Sequence, residues 1–155
     1  MSTSFRPLWL AVPAVLLLAG CGNAAEVAIG EPAEIANGTL TVTEVRQGTA
    51  QDVEVLDLED LQQHTPYFVR YQVAFEEGTP ENEQNLSTAL WDGEATGGEI
   101  SPVWVQQLGD VFPCNGVAEV TAGRGEGCQL LMVEPGETLE AVEYAGRARW
   151  PVNGS

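Results

Sequence analysis

Apolar and polar positions alternate along much of the chain after residue 35. The clearest run is 67–75, where Val69, Tyr71, Val73 and Phe75 share one face, and the other face is formed by Phe68, Arg70, Gln72 and Ala74. This period of two predicts a half-buried strand of an antiparallel sheet. An earlier strand is predicted after the turn signal Asn37-Gly38, where apolar residues alternate with threonines.

Shorter patterns predict the remaining elements. Further strands are expected at 86–91, 100–107, 127–133, 139–144 and 147–152. The run 127–133 is apolar on both faces, which indicates a central strand, whereas 147–152 is predicted as a last edge strand. Asp92-Gly93 is predicted as a turn. The segment 52–63 is too irregular for an amphipathic helix and is predicted as a crossover with one or two helical turns. Together these elements predict an all-β sandwich.

The first 20 residues have a different pattern. Arg6 precedes an apolar stretch that ends in Leu18-Ala19-Gly20-Cys21. A charged head, an apolar middle and small residues at the end are typical of a secretory signal peptide. The stretch is too short to cross a hydrocarbon core of about 30 Å, which needs about 20 residues.

The four residues that end at Cys21 resemble the lipobox of bacterial prolipoproteins. The resemblance implies cleavage before Cys21, a diacylglycerol on its thiol and acylation (palmitate, for example) of the new amino terminus. We therefore expect a signal peptide at 1–20, a lipidated tether at 21–34 and the sandwich at 35–152. The alternative is an ordinary secreted protein in which this cysteine stands near the cleavage point by chance.

The charge balance argues against two classes of partner. The chain has 23 acidic and six basic residues, a formal net charge of −17, and Arg6 is lost with the leader. Nucleic acids and anionic lipid head groups both require a basic face, so we expect neither as a partner. A solvated surface explains the acidity; adaptation to salt or a cation-attracting face are the alternatives.

Two cysteines remain once Cys21 is assigned to lipid. Cys114 and Cys128 form an even pair in a chain predicted to work outside the cytosol, which favours a disulfide bond. A two-cysteine metal site is the alternative, but it lacks partners because His64 is the sole histidine.

The order of predicted strands, cysteines and turns along the mature chain suggests a family. In chain order these features are the strand from Gly38 to Val45, the strand that begins at Pro66-Tyr67-Phe68, the pair Cys114 and Cys128, and the turn Glu134-Pro135-Gly136-Glu137. This pattern resembles the immunoglobulin-like lipoproteins of high-GC Gram-positive bacteria. The resemblance implies an immunoglobulin-like sandwich on the outer face of the membrane and carries over no active-site residue or cofactor.

Candidate chemistry is sparse. A serine or cysteine nucleophile needs a positioned base, and His64 lies in a predicted loop with no Gly-X-Ser-X-Gly in the chain. A hydrolase, including one that uses paired carboxylates on wall polymers, is therefore only a remote alternative. An acid-rich segment is a weak candidate calcium site through the oxygens of Asp52, Glu54, Asp57, Glu59 and Asp60.

Trp104 is the candidate for an exposed binding face, because its neighbours Val103 and Val105 point the other way. Trp91 and Trp150 are expected to pack in the core. The sequence therefore predicts a non-catalytic binding or structural module without a cofactor. It is expected to be anchored to the extracytoplasmic face of the cell membrane through Cys21, with an envelope protein or a wall component as its partner.

Overall fold

A computed structural model describes residues 24–57, 59–103, 112, 114, 116 and 118–152. These residues form ten strands in two sheets of five, which confirms the predicted all-β sandwich. The strands are β1 (Ala25–Glu26), β2 (Pro32–Ile35), β3 (Gly38–Gln47), β4 (Thr65–Phe75), β5 (Trp91–Ala95), β6 (Gly98–Ile100), β7 (Glu119–Thr121), β8 (Arg124–Val133), β9 (Leu139–Tyr144) and β10 (Ala148–Pro151). Four short 3₁₀-helices connect them: Ala50–Leu56, Glu59–Leu61, Glu81–Glu83 and Thr88–Leu90.

Sheet A has the strand order β1-β10-β9-β5-β6, and sheet B has the order β2-β3-β4-β8-β7. Neighbouring strands are antiparallel except for β1 and β10, which pair in parallel. The sequence pattern located β3, β4, β8 and β9 correctly. β8 is a central strand as predicted, since it lies between β4 and β7.

The main core lies between the two sheets. Tyr71 of sheet B meets Trp91 of sheet A with ring centroids 4.8 Å apart. Trp91 also packs against Tyr144 at 5.1 Å and Trp150 at 6.4 Å, and all four residues are at most 5% exposed. Such aromatic contacts stabilise a core beyond the area they bury. Trp91 and Trp150 are therefore core residues, as the sequence analysis expected.

A second, smaller core covers part of the outer face of sheet B. Phe68 and Leu130 of the sheet are buried there beneath Val53 and Leu56 of the first 3₁₀-helix. Because its outward residues are apolar as well as its inward ones, β8 has both faces buried at this end. The crossover after β3 is thus short 3₁₀ turns packed on the sheet, in agreement with the prediction for this segment.

Three sequence predictions about strand positions are wrong. Residues 86–91 are mostly not a strand: a 3₁₀-helix at Thr88–Leu90 leads into β5, and Asp92-Gly93 lies within β5. A Cβ on Gly93 would lie 2.7 Å from the Ile100 side chain, so this glycine permits close packing and does not form a turn. The last strand is not an edge strand, because β1 pairs with β10.

The predicted tether at 21–34 is also wrong from residue 25 onward. The Ala25 amide donates to the Arg147 carbonyl at 2.8 Å, and the Val27 amide donates to the Arg149 carbonyl at 2.9 Å. β2 pairs with β3 over Pro32–Ile35. The polar composition of this segment reflects exposed edge strands that are only two and four residues long, not an unattached linker.

Candidate functional site

The structure describes some of the predicted site residues, whereas others lie outside the described ranges. Cys114 and Cys128 form a disulfide bond, as predicted. Cys21 and Trp104 lie outside the described residues. His64 is partly buried in the loop before β4, and its amide donates to the Leu61 carbonyl at 2.9 Å.

The acid-rich segment 52–60 uses one of its carboxylates structurally. Asp52 accepts hydrogen bonds from the Thr49 amide at 2.7 Å and the Thr49 hydroxyl at 2.9 Å, and so caps the first 3₁₀-helix. These bonds lower the pKa of Asp52. Within the described ranges, no group of three or more His, Cys, Asp or Glu side chains is arranged to hold a metal ion. A calcium site at 52–60 stays a prediction.

A surface that the sequence analysis did not identify is the outward face of sheet A. Alternation along β5 and β9 turns one set of side chains into the core and the other set to solvent. The outward set is almost entirely carboxylates. We define the acid face as Glu26, Asp92, Glu94, Glu99, Glu140 and Glu143 together with Arg149.

Strand register sets like charges opposite each other on the acid face. Asp92 of β5 faces Glu143 of β9, and Glu94 faces Glu99 of β6. Like charges directly across two strands are destabilising. Partial burial and the nearby Glu99 raise the pKa of Asp92, since both disfavour its charged form. The acid face therefore holds more negative charge than the fold by itself favours.

Arg149 is the one cation of the acid face among the described residues. Its guanidinium contacts Glu94 at 2.6 Å, Glu26 at 2.7 Å and Glu143 at 3.4 Å. The hydrogen bonds that Arg149 donates to Glu94, above all, raise the pKa of Arg149. One guanidinium thus serves three carboxylates, and no described residue offers a cation to Asp92, Glu99 or Glu140.

Sheet B presents a different outward face. Three of the chain's six arginines lie on it, and Arg70 pairs with Glu44 at 3.3 Å. Gln72 donates to Glu126 at 2.8 Å, so a neutral amide satisfies that carboxylate. Arg46 lies 4.6 Å from the centre of the Phe68 ring. The two outward faces therefore differ in charge balance, which general acidity of the whole chain does not explain.

Asp92 and Asp52 have pKa values shifted in opposite directions, so they should affect the pH dependence of stability in opposite ways. Because the folded state raises the pKa of Asp92, its contribution to stability is present at low pH and is lost as pH rises through that pKa. Asp52 behaves oppositely: its contribution is present at neutral pH and is lost as pH falls. Each Asp→Asn change removes one negative charge. At pH 7 we expect Asp92→Asn to raise the melting temperature and Asp52→Asn to lower it.

Thermal melts at pH 7 and at about pH 3, near the usual pKa of aspartate, check this prediction. At the lower pH Asp92 is largely protonated because its pKa is raised, so its difference from the wild type should shrink. The difference for Asp52→Asn should shrink less, because the lowered pKa keeps Asp52 charged at more acidic pH. Equal shifts of the same sign at pH 7 would mean that net charge, not local environment, governs these two positions.

Comparison with known proteins assigns no relative: the chain matches no protein-family model, no curated protein and no solved structure. In the part of the chain that the structure describes, no helix has the length and apolarity to cross a bilayer.

Proposed function

We propose that this protein is a non-catalytic binding module of the cell envelope, anchored to the extracytoplasmic face of the membrane by lipid on Cys21. The acid face is its contact surface, and a basic segment of an envelope protein is its partner. The single observation that carries the binding role is the charge balance of the acid face, where six carboxylates accompany one guanidinium, that of Arg149.

The facing pairs Asp92–Glu143 and Glu94–Glu99 lower the stability of the fold. A fold gains nothing from opposing carboxylates, and features that lower stability concentrate at functional sites. A partner that supplies arginine or lysine side chains relieves the repulsion, as Arg149 does for Glu94. Complementary charge of this kind speeds encounter and selects the partner.

The run that resembles a lipobox supports the proposed anchor. It ends at Cys21, and the first described strand starts after it, at Ala25. The disulfide bond between Cys114 and Cys128 suits an oxidising compartment.

Crosslinking in cells tests the proposed function. A photo-crosslinking amino acid replaces Glu140 on the acid face or, as a matched control, Glu119 on sheet B; both side chains are exposed strand glutamates. We expect specific protein adducts from position 140 and not from position 119. Adding Asp92→Asn and Glu143→Gln should reduce the adducts from position 140. No adducts at 140, or the same adducts at both positions, would contradict the acid face as the contact surface.

Cys21→Ser controls the anchor in the same cells. We expect this variant to lose incorporation of a fatty-acid probe, because serine lacks the thiol that would carry the lipid. Without acyl chains to hold it in the bilayer, the protein should leave the membrane fraction. A Cys21→Ser protein that still incorporates the probe would contradict the anchor.

A further inference from the structure

The described sandwich begins very close to the proposed anchor. Ala25 is fixed to Arg147 by a backbone hydrogen bond of 2.8 Å and is only four residues after Cys21. An extended chain covers at most about 3.6 Å per residue, so the Cα atoms of Cys21 and Ala25 lie within about 14 Å of each other. A lipid on Cys21 therefore determines which part of the sandwich is next to the bilayer.

Strand direction identifies that part. β1 runs parallel to β10 with Ala25 opposite Ala148, so the start of β1 lies beside the turn from β9 to β10. The Ala145 amide in this turn donates to the Leu90 carbonyl at 2.6 Å, which brings the start of β5 to the same end. We define the anchor end as Ala25, Leu90 and the turn 145–147.

Two side chains of the anchor end suit a membrane interface. Leu90 is 42% exposed and is one of three large exposed hydrophobic residues in the described ranges. Arg147 is exposed, and the described residues give it no ion pair. An apolar side chain that enters the acyl boundary and a guanidinium that binds phosphate oxygens are typical of proteins that rest on a bilayer.

The opposite end of sheet A has the contrary chemistry. It contains the turn from β8 to β9, where Glu134 and Glu137 flank Pro135-Gly136 and Glu134 is exposed. The Thr96 amide donates to the Thr138 carbonyl at 3.0 Å, so the turn from β5 to β6 lies beside it. Carboxylates are repelled by anionic lipid phosphates, and the turn at 134–138 contains no arginine that could bind them.

We infer that the lipidated chain stands on the membrane on its anchor end, with Leu90 and Arg147 in contact with the lipid interface. The strands of sheet A then lead away from the bilayer, and the Glu134 turn is distant from it. This inference rests on the proposed lipid anchor at Cys21 and adds an interaction surface that the anchor alone does not specify.

Two turn glycines offer matched probe positions. Gly146 lies in the anchor end and Gly136 in the opposite turn; both have positive φ angles, 60° and 87°, and a Cβ on either would meet nothing within 4 Å. The full mature chain is purified with its lipid as Gly146→Cys or Gly136→Cys and labelled with an environment-sensitive fluorophore on the new thiol. The labelled proteins are incorporated into vesicles of phosphatidylcholine and phosphatidylglycerol that contain lipids with nitroxide head groups.

We expect several-fold stronger quenching of the probe at position 146 than at position 136. Adding Leu90→Gln and Arg147→Gln should weaken quenching at 146, whereas Glu134→Gln should not. Equal quenching at the two positions, or stronger quenching at 136, would overturn the proposed orientation.

Flotation and intact mass separate the two proposals. If the chain is acylated and floats with vesicles but position 146 is not preferentially quenched, the orientation is wrong and the anchor stands. If the mature chain carries no acyl group, both the anchor and the orientation are overturned. Labelled Cys21→Ser protein should neither float nor be quenched at either position.

Discussion

Replacing Trp91 by alanine is expected to lower the free energy of unfolding by about 3–5 kcal/mol, the usual cost of truncating a buried aromatic side chain to alanine. Trp91 is 1% exposed and lies between Tyr71, Tyr144 and Trp150. The change removes contacts with both sheets at once and leaves a cavity at the centre of the core. Because a domain is stable by only about 5–15 kcal/mol, much of the variant should unfold at low denaturant concentration.

Urea titration followed by far-ultraviolet circular dichroism measures this loss without relying on the deleted fluorophore. Leu90→Ala is the matched control: the neighbouring side chain is 42% exposed, so its truncation should change stability by at most about 0.5 kcal/mol. Similar losses for the two variants would mean that the four aromatic rings are not a tight core.

Loss of the disulfide bond should be nearly as costly. Cys114→Ala combined with Cys128→Ala removes the link between two positions that are 14 residues apart in the sequence. A disulfide bond that closes a loop of about this length adds roughly 3 kcal/mol to the free energy of unfolding. The bridge also holds Phe112 over Phe68, with ring centroids 6.1 Å apart. We expect both the small core on sheet B and the global stability to weaken.

Reduction of the wild type distinguishes the effect of breaking the disulfide bond from the effect of removing the two cysteine side chains. Dithiothreitol should lower the urea midpoint of the wild type and leave the midpoint of the double variant unchanged. Cys21→Ser should respond to the reductant as the wild type does. A wild-type chain whose intact mass and midpoint do not change on reduction would show that Cys114 and Cys128 are not joined.

The strands that the sequence predicted well are those whose own apolar and polar residues show which faces are buried. In β4, Val69, Tyr71 and Val73 are at most 3% exposed while Arg70 is exposed, so burial follows the alternation directly. β8 was recognised as central because both of its faces meet a core, one between the sheets and one beneath the first 3₁₀-helix.

Prediction failed where a residue's role depends on a distant neighbour. Asp92-Gly93 has the composition of a turn, yet Gly93 lies in a strand because Ile100 and Leu131 fill the space that a side chain would take. Ala25–Glu26 is too short to give any periodic signal, and its strand exists only through pairing with β10. Local composition contains neither fact.

The acid face was missed for a related reason. Its carboxylates come from four strands, and register alone assembles them. A signal was nevertheless available: Asp92 and Glu94 alternate with Trp91, Gly93 and Ala95, the pattern of a strand with an acidic outer side. Predicting a turn at Asp92-Gly93 concealed it.

The pairing of β1 with β10 sets a limit on folding order. Ala25–Glu26 is synthesised more than a hundred residues before Ala148–Pro151, so the first described strand has no partner until the last one has been made. Contacts this remote along the chain form slowly. For a polypeptide threaded outward amino terminus first, sheet A closes only after nearly the entire length has emerged, and a truncated product leaves that first segment without its neighbour.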